Sequence, residues 1–234
     1  MSIAKIWYLE QFNLLQELPK EELSWLAEQM PLHRVYKGNI LRMGDASSPA
    51  VYFLKSGLVK IGSYTASGEE NLKYLVKEGQ IFGEQALVGK ENPNDFAEAL
   101  EDSLVCPINT QTMKWLMDRF PALNQAVLHL MGDRVERLEA KLSALLYEPS
   151  RQRIQRFLVQ HLEEFGQQQG AEWRVKNNLK HSDIARLTAT SRQTVNSVLN
   201  ELRRVGLIDY DKDWIWTHKL AEVKRNALQS GAEE

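Results

Sequence analysis

Hydrophobic and polar positions change their period twice along the chain. A helical run from about Leu9 to Met30 comes first, and Pro31 ends it. From Leu32 to about Ile108 the pattern breaks into short runs rich in Val, Ile, Tyr and Phe. These are separated by Gly38, Gly44, Gly57, Gly62, Gly68, Gly79, Gly83 and Gly89. Such runs between glycine-bearing turns predict antiparallel strands in a sandwich or barrel. Val51 to Lys55 and Leu58 to Ile61 read as two strands joined by a tight hairpin at Ser56-Gly57. Ser67-Gly68-Glu69-Glu70 reads as a second turn, between Ile61 to Tyr64 and Asn71 to Val76.

From Asn109 to Tyr147 the period is that of a helix, broken once at Pro121. Leu128, Met131, Val135, Leu138, Leu142 and Leu145 alternate in spacing between three and four residues. That narrow seam is the pattern of a parallel two-chain coiled coil and predicts a homodimer. The other reading is a helix packed on its own core, which shows a wider apolar stripe. Glu148-Pro149-Ser150 interrupts the helix and marks a boundary, because proline disfavours helical geometry in the residue before it. Arg151 to Phe165 reads as an amphipathic helix, and Gly166 to Gly170 as a polar loop.

Lys180 to Val205 reads as helix, short turn, helix. Ile184, Ala185 and Leu187 form the apolar face of the first helix, and Thr188-Ala189-Thr190 the turn. Ser191 is placed to cap the second helix, whose apolar back is Val195, Val198, Leu199 and Leu202. Its outward side carries Arg192, Gln193, Asn196, Ser197 and Asn200. An apolar back with polar side chains near the N-terminus is what a helix in the DNA major groove needs. His181 and Ser182 open the first helix beside it, and Arg203 and Arg204 close the second, where they suit phosphate contact or the helix dipole. Gly206 to Thr217 then reads as a small hairpin with Lys212 in its turn, the wing of a winged helix. The bland alternative is a helical hairpin with a solvated polar face.

Charge sharpens this reading. The net charge of −2 divides into −5 over residues 1–150, +4 over 151–219 and −1 over 220–234, which directs a polyanion to the C-terminal part. A single cysteine, Cys106, excludes an internal disulfide and a cysteine-ligated cluster and fits a reducing compartment. The first residues lack a signal-peptide pattern and no apolar run is long enough to span a bilayer, so a cytoplasmic location and no membrane partner are expected. No catalytic spacing of Ser, His and Asp, metal ligands or phosphate loop is present, so an enzyme is not expected, nor any cofactor. His33 and His129 are isolated histidines, better read as structural or solvated than as haem ligands. The six tryptophans, Trp7, Trp25, Trp115, Trp173, Trp214 and Trp216, read most simply as core and wing packing.

With these motifs in place, the chain resembles the CRP/FNR superfamily of bacterial transcription regulators. In the barrel the resemblance rests on Gly44-Asp45, Tyr52 to Gly57, Gly68-Glu69, Gly79-Gln80 and Phe82-Gly83-Glu84. In the C-terminal part it rests on Asp183 to Ala185, Ser191 to Val195 and Leu202 to Ile208. It implies an α+β protein: a cyclic-nucleotide-binding-like antiparallel jelly roll over 1–120, a dimerisation helix over 121–148 and a winged helix-turn-helix over 149–234. It also implies a homodimer on a palindromic operator in double-stranded DNA, with RNA polymerase as a partner and a small-molecule effector that the sequence does not identify.

Nucleotide-binding members grip the ribose through the Phe-Gly-Glu segment, here at Gly83 and Glu84. They neutralise the cyclic phosphate with an arginine about ten residues later. Here that place falls at Asn92 to Phe96, with Asn94 and Asp95 in it and no arginine from Lys90 until Arg119. Asp95 would set a negative charge near the phosphate. On the central helix, Leu138 and Glu139 stand where binders present small hydroxyl residues. Cyclic AMP bound in the usual manner is therefore not expected. Glu84 has two readings, a hold on a ligand hydroxyl or a local hydrogen bond within the barrel. The alternatives are a cyclic-nucleotide-responsive regulator and, further off, a ligand-binding module that does not act on DNA.

Overall fold

The computed structural model describes residues 9–10, 12–16, 18–43 and 49–229, and the chain divides into two compact units, Met1–Val135 and Glu136–Glu234. Gly44-Asp45 and Trp7 lie outside the described residues. The fold is α+β.

In the first unit, a single turn at Asn13–Leu15 precedes helix α1 (Lys20–Gln29). The continuous helix expected from Leu9 to Met30 is thus split, because Pro19 lacks the amide that would continue it. Eight strands follow: β1 (His33–Val35), β2 (Ile40–Arg42), β3 (Ala50–Ser56), β4 (Leu58–Tyr64), β5 (Glu70–Lys77), β6 (Ile81–Phe82), β7 (Asp95–Ala99) and β8 (Ser103–Asn109). They form two antiparallel sheets, ordered β1-β8-β3-β6 and β2-β7-β4-β5. Their inner faces bury Leu54, Val59, Ile61, Val76, Phe82, Ala97 and Val105. Helix α1, Cys106 and Met113 join a second apolar cluster.

The hairpin expected at Ser56-Gly57 is absent. Strand β3 pairs with β6 and β8, whereas β4 pairs with β5 and β7. The dipeptide is a corner at which the chain changes sheets. Gly57 has φ 102°, and a Cβ there would stand 2.2 Å from Ser103 Oγ, so only glycine lets the corner press against β8. The Ser67-Gly68 turn does join a hairpin, β4 to β5. Within that pair Ile61 faces Tyr74 and Gly62 faces Leu72, which leaves Lys73 as the extra residue of a β-bulge.

Helix α2 (Thr110–Arg119) is capped by Asn109, which accepts from the Thr112 amide at 2.7 Å. The long helix α3 (Pro121–Tyr147) begins in the first unit and ends in the second. Leu123, Val127, Leu130 and Met131 pack into the first unit's core. Leu128, Val135, Leu138 and Leu142 are each more than half exposed, and Leu145 is 40% exposed. Of the six seam residues, only Met131 is committed to the chain's own core.

The second unit continues with α4 (Ser150–Phe165), β9 (Gln167–Gln169), β10 (Glu172–Lys176), α5 (His181–Leu187), α6 (Arg192–Arg204), β11 (Asp209–Tyr210), β12 (Trp214–Thr217) and α7 (Leu220–Gln229). Residues 167–169, expected as part of a loop, form an exposed edge strand paired with Glu172 to Arg174. The sheet order is β11-β12-β10-β9, so the wing hairpin carries two further strands. Trp173, Trp214 and Trp216 belong to this sheet. Trp25 and Trp115 instead pack on each other at the surface, ring centroids 5.3 Å apart and each more than a third exposed, rather than in the core.

Candidate functional site

Helices α5 and α6 are joined by a three-residue turn before the cap. The start of α5 is held by Asp183, whose buried carboxylate accepts from the Lys180 amide at 3.0 Å. Ser191 caps α6: its Oγ accepts from the Thr194 amide at 3.0 Å and lies 2.8 Å from Thr194 Oγ1. Val195, Val198, Leu199 and Leu202 are buried, while Arg192, Gln193, Asn196 and Ser197 are exposed. Full burial of each such aliphatic side chain contributes about 1.5–3 kcal/mol, which holds the helix on its back and leaves its front free.

Arg192, Gln193 and Asn196 line one open groove with His181. Partial burial and the Arg192 charge both push the His181 imidazole below its ordinary range. Ser182 is half-buried at the second position of α5. Arg203 bonds Asp209 at 2.8 Å and stacks over Tyr210, whose hydroxyl donates to Asn200 Oδ1 at 2.9 Å. These contacts tie the end of α6 to the wing. Lys212, at the wing tip, is highly exposed, and its Nζ lies 3.8 Å from Asp213. The tip itself is fixed by Asp211, which accepts from the Asp213 and Trp214 amides at 2.8 and 2.7 Å. Those two bonds hold its carboxyl below the usual carboxylate range.

The first unit holds a cavity of about 20 Å³, room for roughly one water. It is lined by Met43, Lys73, Tyr74, Gly83, Glu84, Gln85, Ala86, Glu91, Asn92 and Asp95. Gly83 (φ 78°) backs onto the Tyr52 ring and the Ala50 carbonyl, both 3.0 Å from where a Cβ would be. Glu84 is almost wholly buried and pairs with Arg134 of α3. Arg134 also donates to the Tyr74 hydroxyl and, at 3.0 Å, to the Ile81 carbonyl. Burial pushes the Glu84 carboxyl up, against the opposing pull of Arg134 and Lys73. Burial, reinforced by the Glu84 charge, pushes the Tyr74 phenol up to about 12.

Asp95 is likewise paired. Lys73 meets both its oxygens, at 2.6 and 2.7 Å, so the unbalanced negative charge expected there is half of an ion pair. Asn94 is exposed and does not line the cavity, and Leu138 and Glu139 are exposed residues of the second unit. The sequence reading missed Lys73 and Arg134. Alternation along β5 conceals Lys73 because the bulge re-aims it, and Arg134 lies 50 positions from its carboxylate partner. Among the described residues there is no cluster of His, Cys, Asp and Glu able to hold a metal ion, and no helix is long and apolar enough to cross a membrane.

Two family models match the chain: the cyclic nucleotide-binding domain over residues 33–120 and the Crp-like helix-turn-helix domain over residues 152–225. The chain is 25% identical over 201 residues to the CRP-like cAMP-activated global transcriptional regulator of Mycobacterium tuberculosis, covering 86% of this chain and 89% of that one. It is 23% identical over 189 residues to the fumarate and nitrate reduction regulatory protein of Vibrio cholerae, covering 81% and 75%. Its fold is similar to that of a CooA variant from Carboxydothermus hydrogenoformans, with a TM-score of 0.74 at 24% identity, covering 92% and 95%. A CRP/FNR-family regulator from Thermus thermophilus gives a TM-score of 0.70 at 22% identity, covering 86% and 100%. With both domain models matched in order on one chain, and the helix-turn-helix presenting its polar face outward, the chain belongs to the CRP/FNR family of DNA-binding transcription regulators.

Proposed function

We propose that the protein acts as a cytoplasmic homodimer that reads a two-fold-related operator in double-stranded DNA through α6 and works there with RNA polymerase. Its task is binding, not catalysis. The observation that carries this reading is the two-sided build of α6: Val195, Val198, Leu199 and Leu202 anchor its back, while Arg192, Gln193, Asn196 and Ser197 stand free on its front. Arg192 can hold guanine O6 and N7 together, and Gln193 can both donate to and accept from adenine. Lys212 supplies a phosphate contact from the wing. Ser191 and Arg203 support this surface from within, as cap and as tie to the wing. The exposed seam on α3 supports the dimer, because five large apolar side chains left in water are covered by a second copy of the same helix.

In the barrel, Lys73 and Arg134 are engaged by Asp95 and Glu84. An anionic effector would have to break one of these pairs and leave a largely buried carboxylate without its partner. We therefore read the effector, if the cavity has one, as something other than cyclic AMP held in the usual manner. Selection of bound duplexes from a random library tests the DNA reading. Two half-sites related by a two-fold, their centres about one helical turn apart, are expected. A single unpaired site, or no enrichment, overturns it.

A further inference from the structure

Arg153, in the first turn of α4, ends in a fork whose hydrogen bonds reach two separate places. Its Nε donates to the Thr188 carbonyl at 2.9 Å and its Nη2 to the Ala189 carbonyl at 2.8 Å. Its Nη1 donates to the Glu148 carbonyl at 2.6 Å, and Nη2 lies 3.3 Å from Ser150 Oγ. Thr188 and Ala189 form the turn between α5 and α6, and Glu148 is the first residue after α3.

The turn needs holding. Ala189 has φ 49°, the one described residue other than glycine with a positive φ, a conformation a Cβ disfavours. Its carbonyl and that of Thr188 find donors in the same guanidinium. A planar fork with donors in fixed directions can satisfy two neighbouring carbonyls on one side and a third on the other. An ammonium, being a point charge, cannot span them. We propose that Arg153 is a positioning residue for DNA reading, locking the left-handed turn at Ala189 so that α6 leaves it in one orientation relative to the end of α3. Arg151 adds a second link from the same turn of α4, bonding Glu201 of α6 at 2.7 Å.

The inference rests on the reading of α6 as the DNA-reading helix. It separates from a merely structural role because orientation governs base contacts more than the sequence-independent attraction to phosphates. The test uses the full chain, the operator selected from the random library, and a scrambled duplex of equal length. Arg153→Lys is expected to keep the wild-type circular dichroism spectrum and to bind the operator at least about 10-fold more weakly. Its affinity for the scrambled duplex and its salt slope stay unchanged. Adding Ala189→Gly removes the strain the fork holds, so R153K/A189G should recover most of the lost operator affinity. The proposal is overturned if R153K binds both duplexes like wild type, loses both in parallel, or gains nothing from A189G. A variant that does not fold leaves a second measurement, the exchange of the Arg153 Nε proton with water in the wild-type protein. Exchange markedly slower than that of Arg151 supports the clamp, and equal exchange overturns it. Should the wild type select no operator, the reading of α6 fails, and the proton exchange still decides the clamp.

Discussion

Lys73 donates to both carboxylate oxygens of Asp95, at 2.6 and 2.7 Å, from the extra position of a β-bulge. A cyclic phosphate seeking that ammonium would strand a carboxylate whose side chain is only 11% exposed, at a cost of about 1–3 kcal/mol. Titration calorimetry of the wild type with cyclic AMP should give a dissociation constant weaker than roughly 10 μM, about −7 kcal/mol. Asp95→Asn frees the ammonium and should tighten binding. A tight wild-type complex would show that a cation reaches the phosphate with Asp95 still paired.

The dimer is tested on the α3 seam. Leu138→Glu with Leu142→Glu would set four carboxylates against one another across the two-fold in an apolar interface, where an unpaired charge is far more costly than the seam can offset. Sedimentation should show dimers for the wild type and monomers for the double variant. A wild type sedimenting as a monomer at micromolar concentration would remove the case for the coiled coil.

For the DNA face, Arg192→Ala should cost about 1–3 kcal/mol and relax preference at a single guanine. Lys212→Ala should weaken all sequences alike and flatten the salt dependence. The family resemblance implies Glu at the Gln193 position and Arg at the Ser197 position in nucleotide-responsive members, so the half-site should differ from theirs at the base pairs those positions read. Recovery of their half-site unchanged would mean that other side chains do the reading.

Ser191 gives a contrasting case. Its hydroxyl is occupied by the Thr194 amide, so Ser191→Ala should lower stability by about 1 kcal/mol and leave base preference as it was. A changed half-site in the selected DNA would assign Ser191 to the reading surface.

Acid stability should follow His161. Buried between Phe157 and Phe165, its imidazole is held down to about 4 against an ordinary 6.5. The unfolded chain therefore takes up a proton that the folded chain refuses between these values. Stability is full above about pH 6.5 and falls as the pH drops toward 4, by up to about 1.4 kcal/mol per unit. Melting temperatures of His161→Phe should flatten over this window. An unchanged slope would place the acid sensitivity elsewhere.

Helix α6 could be read directly because one local rule governs it: Val195, Val198, Leu199 and Leu202 share a face at helical spacing and are buried together. The barrel obeyed the same logic for strand existence but not for pairing. Nothing local tells a hairpin at Ser56-Gly57 from a corner between sheets, because what decides it is Ser103, 46 positions away. The glutamines of β9 carry no apolar alternation, so only their ladder with β10 reveals a strand. Charge pairing was the least legible feature. Lys73 and Arg134 meet carboxylates 22 and 50 positions away, Arg153 meets a turn carbonyl 35 positions away, and periodicity does not report such meetings.

Cys106 lies wholly within the core of the first unit, on β8, and it is the chain's one cysteine. A sequestered thiol is a poor nucleophile toward dyes and crosslinkers. The native protein is thus close to silent to maleimide, and an added surface cysteine would be addressed alone without first removing Cys106. Lys212→Cys carrying a fluorophore would report the arrival of DNA at the wing. In the proposed dimer, Leu145→Cys would let air oxidation trap the two chains across the seam.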